Sequence, residues 1–149
     1  MLFRKRKRIV KRILIVEDEP LTAFDNEVML ADFGYEVVAT LDSFGSAIEL
    51  LDGQEVHLIL SDLRLSGRRS GFDLARAAKL RGIPVLFSTG HDVPEEAKLL
   101  ALGCLKKPYT ERQLKDALEK VDLVLAGKPV ESAKGLELYP PGAGGSAEG

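Results

Sequence analysis

The 149-residue sequence has a single cysteine, Cys104. One thiol cannot close an internal disulfide, which excludes a disulfide scaffold and fits a reducing compartment. No apolar run approaches the ~18 residues that cross a bilayer. The run after the basic start, Ile13 to Val16, is also shorter than the about 7–15 residues of a signal-peptide core. These two absences give the expectation of a cytoplasmic protein with no membrane span. Paired histidine and cysteine ligands are lacking too, so His57, at the start of an apolar run, reads as structural rather than as a zinc ligand. No internal repeat is present.

The first twelve residues contain no acid. They carry Arg4, Lys5, Arg6, Lys7, Arg8, Lys11 and Arg12, so the remainder holds −9 against a whole-chain charge of −2. An acidic body behind a basic leader argues against a nucleic-acid-binding face on the folded part. The leader, residues 1–10, admits three readings: a solvated arm, an arm for a partner or an anionic surface, or an artefact of start-site choice. Hydrophobic content of 45% with 30% charged residues is globular, and the length suits one domain.

What is present is an alternation of apolar runs and helical stretches. Strands are expected at Lys11–Val16, Tyr35–Ala39, His57–Ser61, Val85–Ser88 and Cys104–Lys106. Helices are expected near Pro20–Phe33, Phe44–Leu51, Gly71–Leu80, Pro94–Leu102 and Glu111–Leu125. Pro20 suits a first helical turn, Ser43 a cap, Thr110 with Gln113 a capping box, and Gly34, Gly82 and Gly103 helix ends. The expected apolar face of the first helix is Phe24, Val28 and Ala31 with Leu21 and Met29. Five strand–helix units imply an α/β fold: a doubly wound, five-stranded parallel sheet with right-handed crossovers, of which one common order is 2-1-3-4-5. The expected organisation is an arm over 1–10, a domain over 11–125 and a flexible Gly/Pro-rich tail over 126–149. In that tail Leu136, Leu138 and Tyr139 are the one apolar group.

Parallel strands end on one edge, where ligands of open α/β sheets bind. Glu17 and Asp18 follow the first strand, Asp62 the third, Thr89 the fourth and Lys107 the fifth. Clustered carboxylates need a cation, and all-oxygen ligands suit Mg²⁺. A carboxylate can attack phosphorus and form an aspartyl phosphate. In this reading Asp62 is the nucleophile, Asp18 and Glu17 hold the metal directly or through water, Lys107 pairs with charge, and Thr89 senses the phosphoryl group. The bland reading of Glu17–Glu19 as an acidic helix start leaves Asp62 and Lys107 unconnected.

The stretch Ile13-Leu14-Ile15-Val16-Glu17-Asp18-Glu19-Pro20, Asp62 with Gly67 five residues on, Thr89-Gly90 and Lys107-Pro108-Tyr109 together resemble a response-regulator receiver domain of two-component signalling, over residues 11–125. The resemblance implies a flavodoxin-like (βα)5 fold. It also implies a phosphoprotein that is a phospho-acceptor rather than an enzyme, charged on Asp62 from a histidine kinase or histidine phosphotransfer protein. Mg²⁺ would gain a ligand from the Arg64 backbone carbonyl, and a downstream partner would dock on the fourth-to-fifth-helix face. Receivers usually carry an aromatic switch residue three positions before the lysine; here that position is Cys104, with Thr89, Gly90 and His91 as the neighbouring switch and tuning positions. Ser66 stands where a proline precedes Gly67, and the following loop is one residue longer. With Phe87-Ser88-Thr89-Gly90-His91, these departures resemble the single-domain FAT GUY subfamily, which implies alphaproteobacterial general stress signalling. With Cys104 in the aromatic position, His91–Gly103 is the segment expected to rearrange on phosphorylation.

Three functions of different classes follow. The first is a stand-alone phosphorylation-switched module that binds another protein or relays phosphate, including as a sink without its own output. The second is an enzyme, disfavoured because Asp18 is followed two residues on by Pro20 rather than a second Asp. The third is a nucleic-acid or anionic-surface binder acting through residues 4–12. No helix-turn-helix domain is read in the sequence, so direct gene regulation is not expected.

Overall fold

The computed structural model of the protein describes residues 7–140. In chain order the elements are β1 (Arg12–Val16), α1 (Pro20–Asp32), β2 (Glu36–Leu41), α2 (Phe44–Leu51), β3 (Leu58–Ser61), α3 (Gly71–Leu80), β4 (Val85–Thr89), α4 (Glu95–Lys98), β5 (Gly103–Lys106), α5 (Glu111–Leu125) and β6 (Leu136–Leu138). The sheet order is β2-β1-β3-β4-β5-β6. The first five strands are parallel in the expected order, and β6 adds antiparallel to β5.

Alternation along each strand separates two cores. Leu14, Val16, Ile59, Val85 and Phe87 face α2, α3 and α4 through Ala47, Leu74, Ala75, Ala78 and Ala97. Ile13, Ile15, Leu58, Leu60, Leu86 and Leu105 face α1 and α5 through Leu30, Leu114, Ala117, Leu118 and Val121. β1, β3 and β4 read as continuous apolar runs because helices cover both faces of a parallel sheet.

Local chemistry fixes the helix starts. Pro20 begins α1 and the Glu19 side chain accepts from Thr22 N at 2.8 Å. The Thr110–Gln113 capping box opens α5, and a second box, Ser70–Asp73, opens α3. His57 is structural, its Nδ1 accepting from the amides of Lys11 and Arg12, both at 3.0 Å.

Four expectations are corrected. α4 keeps only Glu95–Lys98, because Leu102 N is drawn to Val85 O (2.8 Å) and the chain turns early into β5. The expected apolar face of α1 is turned outward: Leu21, Phe24 and Val28 are exposed, while Ala23, Asn26 and Leu30 are buried. The described part of the arm is not free, since Ile9 N and Val10 N both donate to buried Asp122 Oδ1 (2.9 and 2.8 Å) and Arg8 stacks 4.2 Å over Tyr35. The described part of the tail is not free either, because Leu136–Leu138 form β6 and Tyr139 is buried. Arg4, Lys5 and Arg6, and the Gly/Ala/Ser run after Pro141, lie outside the described residues.

Gly71 carries a consequence for the acceptor loop. Its amide donates to Leu63 O at 2.8 Å. A Cβ there would collide with the Asp62 carbonyl oxygen and lie 2.8 Å from Leu63 Cα. These are backbone atoms that cannot swing aside, so Gly71→Ala is expected to cost about 3 kcal/mol and to shift the loop after β3. Urea unfolding measures the cost; an unchanged midpoint counts against the close approach.

Candidate functional site

β1 and β3 lie side by side with Val16 opposite Ser61, so Glu17 and Asp62 leave the sheet together. Ligand oxygens of Glu17, Asp18 and Asp62 fall within 4.8 Å of one another, the one such group of three or more metal-ligating side chains among the described residues. Glu17 is buried, Asp18 exposed and Asp62 between the two. Lys107, one residue beyond β5, crosses to them: its Nζ lies 2.6 Å from Glu17 Oε1 and 2.9 Å from Asp62 Oδ2.

This arrangement is electrostatically tense. Burial pushes the Glu17 carboxyl above its ordinary value, the hydrogen bonds from Lys107 and Glu19 N working against that, and the nearby Asp62 charge adding to it. Burial alone would lower the Lys107 ammonium, but its bonds to Glu17 and Asp62 outweigh this and hold it above the usual lysine range. Lysine thus stays charged between two carboxylates. An all-oxygen donor set this close, with one cation already balancing part of its charge, fits a hard divalent ion such as Mg²⁺.

The remaining sequence-predicted residues are distributed around this centre. Thr89 is fully buried at the end of β4; its Oγ1 accepts from His91 N (3.2 Å) and its carbonyl from Lys107 N (3.0 Å). A Cβ on Gly90 would lie 3.9 Å from Lys107 Cβ, so this turn packs beside the lysine. Arg64 N donates to Asp62 Oδ1 at 3.2 Å. His91 is exposed on the rim. Cys104 is not brought to the mouth: it sits within β5 opposite Phe87 and is buried with Tyr139 in the α2–α4 core.

One network was not legible in sequence. Tyr109 Oη donates to Asn26 Oδ1 (2.8 Å) and lies 3.1 Å from Ser88 Oγ, tying α1, β4 and the loop after Lys107 together. Burial raises the Tyr109 phenol, against the pull of these two bonds. The available signal was Ser88, a hydroxyl inside an apolar strand, but its partner is 21 residues away.

Residues 13–119 match the family model described as "Response regulator receiver domain". The chain belongs to that family. Transcriptional regulatory protein PdtaR of Mycobacterium tuberculosis is 33% identical over 116 residues, covering 74% of this chain and 56% of PdtaR. Phyllosphere-induced regulator PhyR of Methylorubrum extorquens is 33% identical over 98 residues, covering 60% of this chain and 37% of PhyR. This receiver therefore spans about half or less of the length of these curated relatives. Among solved structures, the chemotaxis response regulator CheY4 of Vibrio cholerae superposes with a TM-score of 0.68 at 25% identity, covering 75% of this chain and 98% of CheY4. The flavodoxin-like parallel fold of the receiver and its place among phosphorylation-accepting domains of two-component regulators follow from these matches. No helix among the described residues of the receiver is long and apolar enough to cross a membrane.

Proposed function

We propose that this chain is a response regulator that takes a phosphoryl group onto Asp62 from a phosphohistidine donor and, in that state, engages another protein or passes the phosphate on. The observation that carries this reading is Lys107 reaching Asp62 and Glu17 at 2.9 and 2.6 Å on a cluster of three carboxylates. Asp62 Oδ attacks phosphorus, the P–N bond to the donor imidazole breaks, and its electron pair returns to the ring nitrogen, leaving an acyl phosphate. Asp18, Asp62 and Glu17, with the Arg64 carbonyl, would hold Mg²⁺, which when bound neutralises charge on the phosphoryl oxygens. Lys107 Nζ balances the negative charge gathering beside Asp62. Thr89 reads the product with its hydroxyl. Gly90 admits the turn beside Lys107, and exposed His91 tunes water access to the acyl phosphate.

The donor's docking face is supported by α1. Leu21, Phe24 and Val28 expose an apolar stripe, 74%, 62% and 43% accessible, on the helix that starts two residues after Asp18. An exposed apolar stripe on a helix beside a reacting centre fits the helical surface of a histidine kinase or phosphotransfer protein. The downstream protein docks on the α4–β5–α5 side. The Phe87–His91 stretch supports assignment to general stress signalling of the FAT GUY kind. The basic leader has fewer free charges for an anionic surface than its sequence suggests: Arg8 binds Phe33 O at 2.9 Å, and Arg12 binds Glu36 at 2.7 Å and Glu55 O at 2.7 Å.

The experiment is acetyl phosphate with Mg²⁺, read by intact mass. One phosphoryl group is expected with Mg²⁺ and none when EDTA is present. Uptake that ignores the metal sinks the carboxylate-site reading.

A further inference from the structure

β6 covers the outer edge of β5 on the same side on which a downstream partner is proposed to dock. Its three residues pair in register, Gly103 with Leu138, Cys104 with Glu137 and Leu105 with Leu136. Lys106 N donates to Gly135 O and Tyr139 N to Leu102 O, at 2.8 and 2.9 Å, so β5 is bracketed at both ends. Lys98 of α4 adds an ion pair to Glu137 at 3.8 Å and lies 5.8 Å over the Tyr139 ring.

Two features show that β5 is shaped for this cover. Gly103 is the first: a Cβ there would collide with the Glu137 carbonyl oxygen and stand 3.1 Å from Leu138 Cα. No side chain fits at that position while β6 is docked. Tyr139 is the second. It lies diagonally across the pairing from Cys104, on the α4 side, and the two share one core with Ala97. The ring beside Cys104 comes from the C-terminal segment.

The cover is also poised to leave. Tyr139 is 8% exposed, yet its hydroxyl has no hydrogen-bond partner among the described residues. A buried hydroxyl without a partner opposes burial and recovers water on release. β6 has only three residues. Its root at Gly135 is bonded to Lys106, which pairs with Thr89 across β4 and precedes Lys107. Any shift of Thr89 or Lys107 toward a charged Asp62 therefore acts on the residue that anchors β6.

We propose that β6 with Tyr139 is a releasable latch on the α4–β5 edge, that charging Asp62 loosens it, and that the freed β5 edge then accepts an extended segment of a partner protein. The departing strand defines the replacement: apolar residues matching Leu136 and Tyr139 on opposite faces, and an acid between them for Lys98. Such an edge offers unpaired amides and carbonyls, which suits strand addition. The latch rests on Asp62 being the acceptor, as proposed above. The coupling is reciprocal, so a chain without the latch also holds the phosphoryl group more readily.

Cys104 provides the readout, being the one thiol in the chain and buried beneath the latch. Maleimide labelling of the full-length protein is followed with and without acetyl phosphate and Mg²⁺, with intact mass recording phosphoryl uptake. Labelling is expected to rise about tenfold or more when Asp62 is charged, as local opening exposes the thiol. Gly103→Ala and Tyr139→Ala label fast without phosphate. Tyr139→Phe, which keeps the ring and removes the orphan hydroxyl, labels more slowly than the parent. A synthetic peptide of residues 134–140 slows labelling of Tyr139→Ala. Phosphoryl uptake with an unchanged Cys104 rate overturns the latch and leaves the acceptor site standing. No uptake at all overturns both.

Discussion

Asp62→Ala is expected to take up no phosphoryl group from acetyl phosphate and Mg²⁺, while the parent is expected to gain one. The two neighbouring carboxylates cannot replace it, for different reasons. Glu17 is buried, with one oxygen held by Lys107 at 2.6 Å and the other accepting Glu19 N at 3.1 Å, so both are already engaged. Asp18 is exposed and has no bond to Lys107, so charge developing on an acceptor there would be far less balanced. Asp62 alone combines partial exposure with lysine and backbone contacts, Oδ2 at 2.9 Å from Lys107 and Oδ1 at 3.2 Å from Arg64 N. The substitution leaves Lys107 paired with Glu17, so the fold survives and the loss is chemical. Intact mass with circular dichroism separates the two; a phosphoryl group that persists in a folded Asp62→Ala would falsify the assignment.

Lys107→Ala separates two roles of one ammonium. In phosphoryl transfer it removes a fixed positive charge beside Asp62, and loss of one such charge-stabilising group typically costs on the order of 10²-fold in rate. In the metal-free fold it strands Glu17, a buried carboxylate whose pKa burial already raises. Breaking one side of a largely buried pair costs about 3 kcal/mol. Mg²⁺ distinguishes the effects. A divalent ion binding only the folded state recovers part of the stability by mass action, but the lost rate is not expected to return, since Glu17, Asp18 and Asp62 would hold the metal and none of them replaces the charge that Lys107 brings to Asp62 Oδ2. Urea unfolding with and without Mg²⁺, beside single-turnover uptake of acetyl phosphate, reads both. Equal recovery of rate and stability would mean that Lys107 acts only by holding the site together.

The candidate site was legible because its residues stand at or just past the ends of apolar strands, and parallel strands leave a sheet in register. Glu17, Asp62 and Lys107 therefore meet once the order 2-1-3-4-5 is read, with Thr89 bonded to the Lys107 backbone beside them. The face of α1 was not legible. Leu21, Phe24 and Val28 form one stripe at helical spacing, and Ala23, Asn26 and Leu30 another. Hydropathy favours the first, whereas packing against the sheet selected the slimmer second, which includes Ala23.

The same contrast runs through the ends of the chain. Composition marked 126–149 as tail-like, because it is rich in glycine and proline and Leu136, Leu138 and Tyr139 are its one apolar group. A three-residue strand has no periodicity to read. Its place is decided by a neighbour: the open edge of β5, the missing side chain of Gly103 and the space beside Cys104. Asp122 likewise looks like one more surface acid on α5 until two amides of the leader turn toward it. By itself the sequence determined the five parallel strands, most helix starts and the residues at the strand ends, since those depend on local hydropathy, capping and chain direction. Only the tertiary structure decided which helix face is bare, which glycine is a contact and what closes the sheet, because each depends on atoms distant along the chain.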